Sequence, residues 1–136
     1  MTAAEPEPVQ VPDALTPLFE HHPEALRLLR EARVGLQSLS GLPPVQVETA
    51  TLGALLALGA PPESFRAHVV RARALGMTED DVWGVLEALA TIVGVPRLIS
   101  AVPAVAAALA TTRTSGPGPA PGAGPTDRKK AGAPDG

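Results

Sequence analysis

Leu, Ala and Val recur every three or four residues along most of the chain, and Pro or Gly interrupts this pattern at short intervals. The spacing is that of an α-helix, and no run of alternating β-branched residues is long enough to indicate a strand. The pattern therefore predicts an all-α fold, a single-domain bundle of about six helices. The predicted helices cover residues 16–22, 23–39, 44–58, 62–75, 78–93 and 95–110.

Individual residues at the interruptions support several of these boundaries. Thr78 and Asp81 have the spacing of a capping box at the start of the fifth helix. Gly41 and Gly76 follow the second and fourth helices, where a left-handed residue commonly ends a helix. Pro103 lies inside the sixth helix, and its missing N–H is expected to kink or split that helix.

The distribution of Gly and Pro divides the chain into three parts. Residues 1–13 are predicted to be a flexible arm, and residues 14–110 form the helical domain. Residues 111–136 are predicted to be a disordered tail, because they cannot bury enough apolar surface to offset the entropy of ordering. The charged cluster at residues 127–130 is expected to be a solvated part of that tail.

The helical domain is small, and its third to sixth helices are apolar on more than one side. Helices of that kind need partners on several sides. We therefore expect a homo-oligomer, with a tightly packed monomer as the alternative.

Composition and charge exclude several classes of protein. The absence of Cys rules out disulfides, thiolate metal sites and thiol redox chemistry. A net charge of −3 without a basic stripe argues against a nucleic-acid partner. The longest uncharged apolar run, residues 98–112, contains Pro103 and is shorter than the roughly 20 residues of a membrane span. With no secretory signal visible, a soluble cytoplasmic protein with no membrane partner is expected.

His68 and Glu48 are the two candidates for chemistry. His68 shares a face of the fourth helix with Phe65 and Ala72, and Glu48 shares a face of the third helix with Leu52. An ionisable group on an apolar face has an altered proton affinity and can transfer protons near neutral pH. The two helices are joined by a short break and should pack antiparallel, which puts both residues at heights that differ by roughly 6 Å.

Each candidate also has a purely structural interpretation. His68 could be a core residue bonded to a backbone carbonyl, and Glu48 could simply favour the positive end of its helix. His21 and His22 do not share a helical face and have no third ligand beside them, so no metal site is predicted. Trp83 is predicted to be a packing anchor rather than a platform for a ligand.

A set of landmarks between residues 42 and 101 resembles the carboxymuconolactone decarboxylase family in order and spacing. The residues that carry the resemblance are Leu42-Pro43, Glu48, Leu52, Ala57-Leu58-Gly59, Arg66-Ala67-His68-Val69, Ala74-Leu75-Gly76-Met77-Thr78-Glu79-Asp80-Asp81-Val82, Val85-Leu86 and Gly94-Val95-Pro96. The resemblance implies an alkylhydroperoxidase D-like (AhpD-like) helical fold that assembles into trimers or hexamers.

The family has two branches that differ in chemistry. Thiol peroxidases carry a C-x-x-C pair ahead of the His, and Pro61 and Ser64 stand in those places here, which excludes that activity. The other branch includes a carboxy-lyase of aromatic compound catabolism that converts a carboxylated muconolactone into an enol-lactone. The resemblance implies a lyase with His68 and Glu48 as the proton-transfer pair, a small carboxylate or lactone as substrate, and no metal or organic cofactor.

Two departures from the family pattern favour a second hypothesis. The family's Arg just before the Glu is Val47 here, and the aromatic residue ahead of G-x-P is Ile92. A changed substrate would explain these departures, and so would a non-catalytic oligomeric module of the same fold that binds a ligand or partner. Arg66 and Arg71 lie nearest to His68, but on other faces of the helix by periodicity. The sequence therefore identifies no substrate-binding residue.

Overall fold

The structure is a computed structural model that describes residues 13–114. This part of the chain forms a 3₁₀ turn and six α-helices and contains no strand, so the predicted all-α fold is confirmed. The turn is Asp13–Leu15, and the helices are α1 (Thr16–His21), α2 (Pro23–Ser40), α3 (Pro44–Leu58), α4 (Pro62–Ala74), α5 (Glu79–Val93) and α6 (Val95–Thr114). Residues 1–12 of the predicted arm (1–13) and residues 115–136 of the predicted tail (111–136) lie outside the described residues.

Local signals place most helix ends correctly. The side chain of Thr78 accepts a hydrogen bond from the Asp81 N–H at 3.0 Å, and the Asp81 carboxylate accepts one from the Thr78 N–H at 2.8 Å. This is the predicted capping box, which satisfies two N–H groups that the first turn of α5 would otherwise leave unpaired. Gly41 ends α2 in the left-handed conformation, with φ +67°.

The sixth helix differs from its prediction in two respects. It continues through Pro103 as one helix, so of the predicted kink or split the split does not occur, and it extends to Thr114 rather than ending at residue 110. Pro103 removes one backbone hydrogen bond. On either side of it, Ala101 and Val105 are buried against the rest of the bundle. Their packing explains why the helix persists where local propensity alone predicts a break.

The core lies among α3, α4, α5 and α6, and α4 packs most extensively against α6. Its buried apolar residues are Leu52, Leu56, Phe65, Val69, Ala72, Met77, Val82, Leu86, Ala101, Val105, Ala108 and Leu109. Trp83 lies half-buried against this cluster, as expected of a packing anchor. Because α3 and α4 share the core, the first half of α3 is held beside the middle of α4.

Outside this core lie α1 and α2, which pack on each other. No residue of α2 is buried, and five of its large apolar side chains are each more than half exposed. They are Leu28, Leu29, Val34, Leu36 and Leu39. A second copy would cover such a surface if the chain oligomerises, and the homo-oligomer stays a prediction.

Helix α6 is long and apolar enough to cross a membrane, with a mean hydropathy of 1.4. The same properties are found in core helices of soluble proteins. In this structure α6 contributes Ala101, Val105, Ala108 and Leu109 to the core, so its composition is weak support for a membrane span.

Candidate functional site

The structure brings Glu48 and His68 together within one chain. Glu48 lies in the second turn of α3, and His68 lies in the middle of α4. The Oε2 atom of Glu48 is 2.9 Å from the Nδ1 atom of His68, which is hydrogen-bond distance. Glu48 is only 3% exposed, whereas the His68 side chain is 23% exposed. A buried carboxylate is thus connected to an imidazole that reaches the surface.

Arg71 completes the environment of this carboxylate, although helical periodicity had placed it on another face than His68. Its Nη1 atom lies 3.3 Å from Oε1 of Glu48, so the two carboxylate oxygens face two different partners. Arg71 follows His68 by three residues, and residues at that spacing are neighbours on a helix surface. The placement of Arg71 on another face was therefore wrong, and the i,i+3 spacing was the signal that could have found it.

Opposing effects act on the Glu48 carboxyl group. Burial is the largest of them and raises its pKa, because a charged carboxylate loses its hydration. The hydrogen bond and charge of His68 and the positive charge of Arg71 act the other way, and together they hold the pKa of Glu48 below its usual value of 4.5. Glu48 is therefore ionised at neutral pH.

The lowered pKa of Glu48 predicts a loss of stability in acid. A carboxyl group with a depressed folded-state pKa stabilises the fold above its unfolded value, and that contribution disappears as pH falls through the folded pKa. We expect the stability advantage of the wild type over Glu48→Gln to shrink as pH falls below about 4.5. Urea unfolding of both proteins at several pH values between acid and neutral measures this difference in the free energy of unfolding. The surface variant Glu87→Gln is the control. A difference between wild type and Glu48→Gln that is the same at every pH would contradict this account.

A cavity of about 300 Å³ lies beside the carboxylate, between α2, α3 and α4. The described residues that line it are Arg33, Gln37, Ser38, Leu42, Pro44, Val47, Glu48, Arg71 and Leu75. His68 is not among them. The volume of the cavity is at the lower end of the range for small-molecule binding sites. A ligand in this cavity would meet Glu48 directly and His68 only through Glu48.

The other candidates form no site in the part of the chain that the structure describes. The rings of His21 and His22 contact each other edge to face, with centroids 4.5 Å apart, and both residues are exposed. Within residues 13–114, no group of three or more His, Cys, Asp or Glu side chains could hold a metal ion.

A known protein family matches the part of the chain that contains this site. The sequence profile described as the carboxymuconolactone decarboxylase family matches residues 23–107, from the start of α2 into α6. The matched region is more than half of the chain and includes Glu48, His68 and Arg71. The chain belongs to the carboxymuconolactone decarboxylase family. Searches of curated proteins and of solved structures gave no significant match.

Membership of the family gives the two departures a structural meaning. Val47, in place of the family's Arg, lines the cavity with an apolar side chain. Ile92, in place of the aromatic residue, is 76% exposed on α5 and is not one of the described lining residues. Positive charge in the cavity comes instead from Arg71 on α4 and Arg33 on α2.

Proposed function

We propose that this member of the carboxymuconolactone decarboxylase family is a lyase that acts on a small carboxylate or carboxylated lactone. Glu48 and His68 serve as its proton-transfer pair, and the chemistry needs no metal or organic cofactor. The observation that carries the proposal is the buried Glu48 carboxylate, which lines a cavity on one side and is hydrogen-bonded to His68 at 2.9 Å on the other.

The pair supplies the proton that the reaction requires. When the carbon–carbon bond to the departing carboxylate breaks, CO₂ leaves and the electron pair passes into an extended enolate. The proton then moves from Nδ1 of a protonated His68 to Oε2 of Glu48, and from Glu48 to the substrate carbon, where a C–H bond forms. His68 is left neutral and regains a proton from solvent, to which its side chain is partly exposed.

Arg71 has a separate task in this scheme. Its guanidinium lies 3.3 Å from the other oxygen of Glu48 and contributes to the low pKa of that carboxyl group. A carboxylate that stays ionised between turnovers is ready to accept a proton from His68. Arg71 also adds positive charge to the cavity in which the enolate oxygen develops its negative charge.

Replacement of His68 tests the proposal. We expect His68→Ala to lower kcat for a carboxylated lactone by about 100-fold, because Glu48 loses its proton donor. Release of CO₂ or loss of the lactone's absorbance measures the rate, and His22→Ala, at an exposed position, is the matched control. Turnover by His68→Ala at the wild-type rate would refute the assignment.

The second hypothesis, binding without turnover, is favoured by the position of His68 outside the cavity lining and by Val47 in place of the family's Arg. It predicts that a ligand raises the melting temperature in a saturable way while no product forms. Measuring both quantities on the same ligand panel decides between the two hypotheses.

A further inference from the structure

The cavity contains more positive than negative charge. Two guanidinium groups, those of Arg33 and Arg71, line it together with one carboxylate, that of Glu48. Glu48 already accepts hydrogen bonds from Arg71 and His68. One positive charge in this cavity therefore has no counterpart among its described lining residues.

Arg33 is the cation with an unsatisfied hydrogen-bond donor. Its Nε atom is buried and has no hydrogen-bond partner among residues 13–114. Arg27, on the same helix, instead forms ion pairs with Glu24 and Glu31. A buried donor without an acceptor destabilises the protein, because it has lost its hydrogen bonds to water and forms none in their place. Arg33 therefore occupies a position that internal pairing does not explain.

The two arginines also disfavour each other's charge. Burial is the main reason that the pKa of Arg33 is lowered, and the positive charge of Arg71 lowers it further, while Glu48 opposes both effects. An anion placed between the two guanidinium groups would relieve this repulsion and supply the acceptor that Nε lacks.

We propose that Arg33 and Arg71 together bind one carboxylate group of the ligand in this cavity, and that Arg33 determines the preference for a charged ligand. The identity of the ligand, a small carboxylate, rests on the proposed function. A planar carboxylate offers two oxygens that match the fork of a guanidinium group. The apolar side chains of Leu42, Val47 and Leu75 line the same cavity and suit the hydrocarbon part of the ligand.

The proposal has a consequence for α2. No residue of α2 is buried, and its main packing partner is α1. A carboxylate held by Arg33 and Arg71 at once would connect α2 to α4. We therefore expect ligand binding to slow amide hydrogen exchange in α2, and this readout does not depend on turnover.

Calorimetric titration of the full chain tests the carboxylate site directly. The probes are 5-oxotetrahydrofuran-2-carboxylate, its uncharged methyl ester, and inorganic phosphate. The wild type should bind the carboxylate at least tenfold more tightly than the ester, and Arg33→Gln should lose about 10- to 100-fold in carboxylate affinity while its affinity for the ester stays the same. Arg66→Gln, exposed on α4, should bind as the wild type does, and Arg33→Lys should retain part of the affinity because it keeps the charge.

Several outcomes would overturn the proposal. They are carboxylate binding by Arg33→Gln at wild-type affinity, equal affinity of the wild type for acid and ester, tighter binding of phosphate than of the carboxylate, and no binding of the carboxylate at all. The result is separable from the proposed function. Arg33-dependent binding without conversion of any lactone would leave the site intact and refute catalysis. If turnover depends on His68 while Arg33→Gln keeps the wild-type KM, the proposed catalysis stands and the proposed carboxylate site is refuted.

Discussion

Glu48→Gln is expected to lower kcat by about 10²- to 10⁴-fold, the range for loss of a general acid–base group. Gln has the shape of Glu but cannot carry the proton from His68 into the cavity. Because Glu48 lines the cavity and His68 does not, the loss should be larger than that of His68→Ala. Steady-state kinetics on a carboxylated lactone measure both losses.

Glu87→Gln is the matched control for this experiment, since Glu87 is exposed on α5 and is not one of the described residues that line the cavity. It should retain wild-type kcat and KM. If Glu48→Gln keeps the wild-type kcat, or if His68→Ala is much the more damaged of the two variants, the proton path through Glu48 is wrong.

Leu52→Ala is expected to lower the free energy of unfolding by about 2 to 5 kcal/mol. Leu52 is fully buried in the core that joins α3 to α4, α5 and α6. Removing its side chain gives up apolar burial and leaves a cavity that the neighbouring helices fill only in part. Leu58→Ala, on the same helix, makes the same chemical change at a side chain that is 75% exposed, and should cost less than about 0.5 kcal/mol.

Urea unfolding followed by circular dichroism measures both variants. Equal costs at the two positions would contradict the observed packing of α3. The measurement also reports on assembly, because a cost at Leu58 that grows with protein concentration would reveal a second copy that covers this side chain.

The helices were largely predictable from sequence because their signals are local. The bounds of α3 agree with the prediction, and the capping box at Thr78 and Asp81 forms as its spacing indicates. At Pro103 a local rule predicts a kink or a split, and the split does not occur because packing against the core sustains the helix. That packing involves residues far away in sequence, so the residues around Pro103 cannot by themselves show whether the helix continues.

The residues of the candidate site also differ in whether the sequence could predict their place in it. Helical periodicity placed Glu48 and His68 on apolar faces. The short connection between α3 and α4 put them at heights that differ by roughly 6 Å, within reach of a long side chain or a water bridge. Arg71 was within reach of the same reasoning, since it follows His68 by three residues. Arg33 was not, because it belongs to α2 and lines the cavity only because α2 borders the same cavity as α3 and α4.

The amino-acid sequence alone determined that this protein is helical, that it cannot use thiol chemistry, and which carboxylate and imidazole share a helix face with apolar residues. Each of these properties follows from composition or from the period of a single helix. Tertiary structure decided the hydrogen bond between Glu48 and His68, the low pKa of Glu48 and the presence of two arginines in one cavity. Distances between side chains on different helices depend on how whole helices pack, and no single helix contains that information.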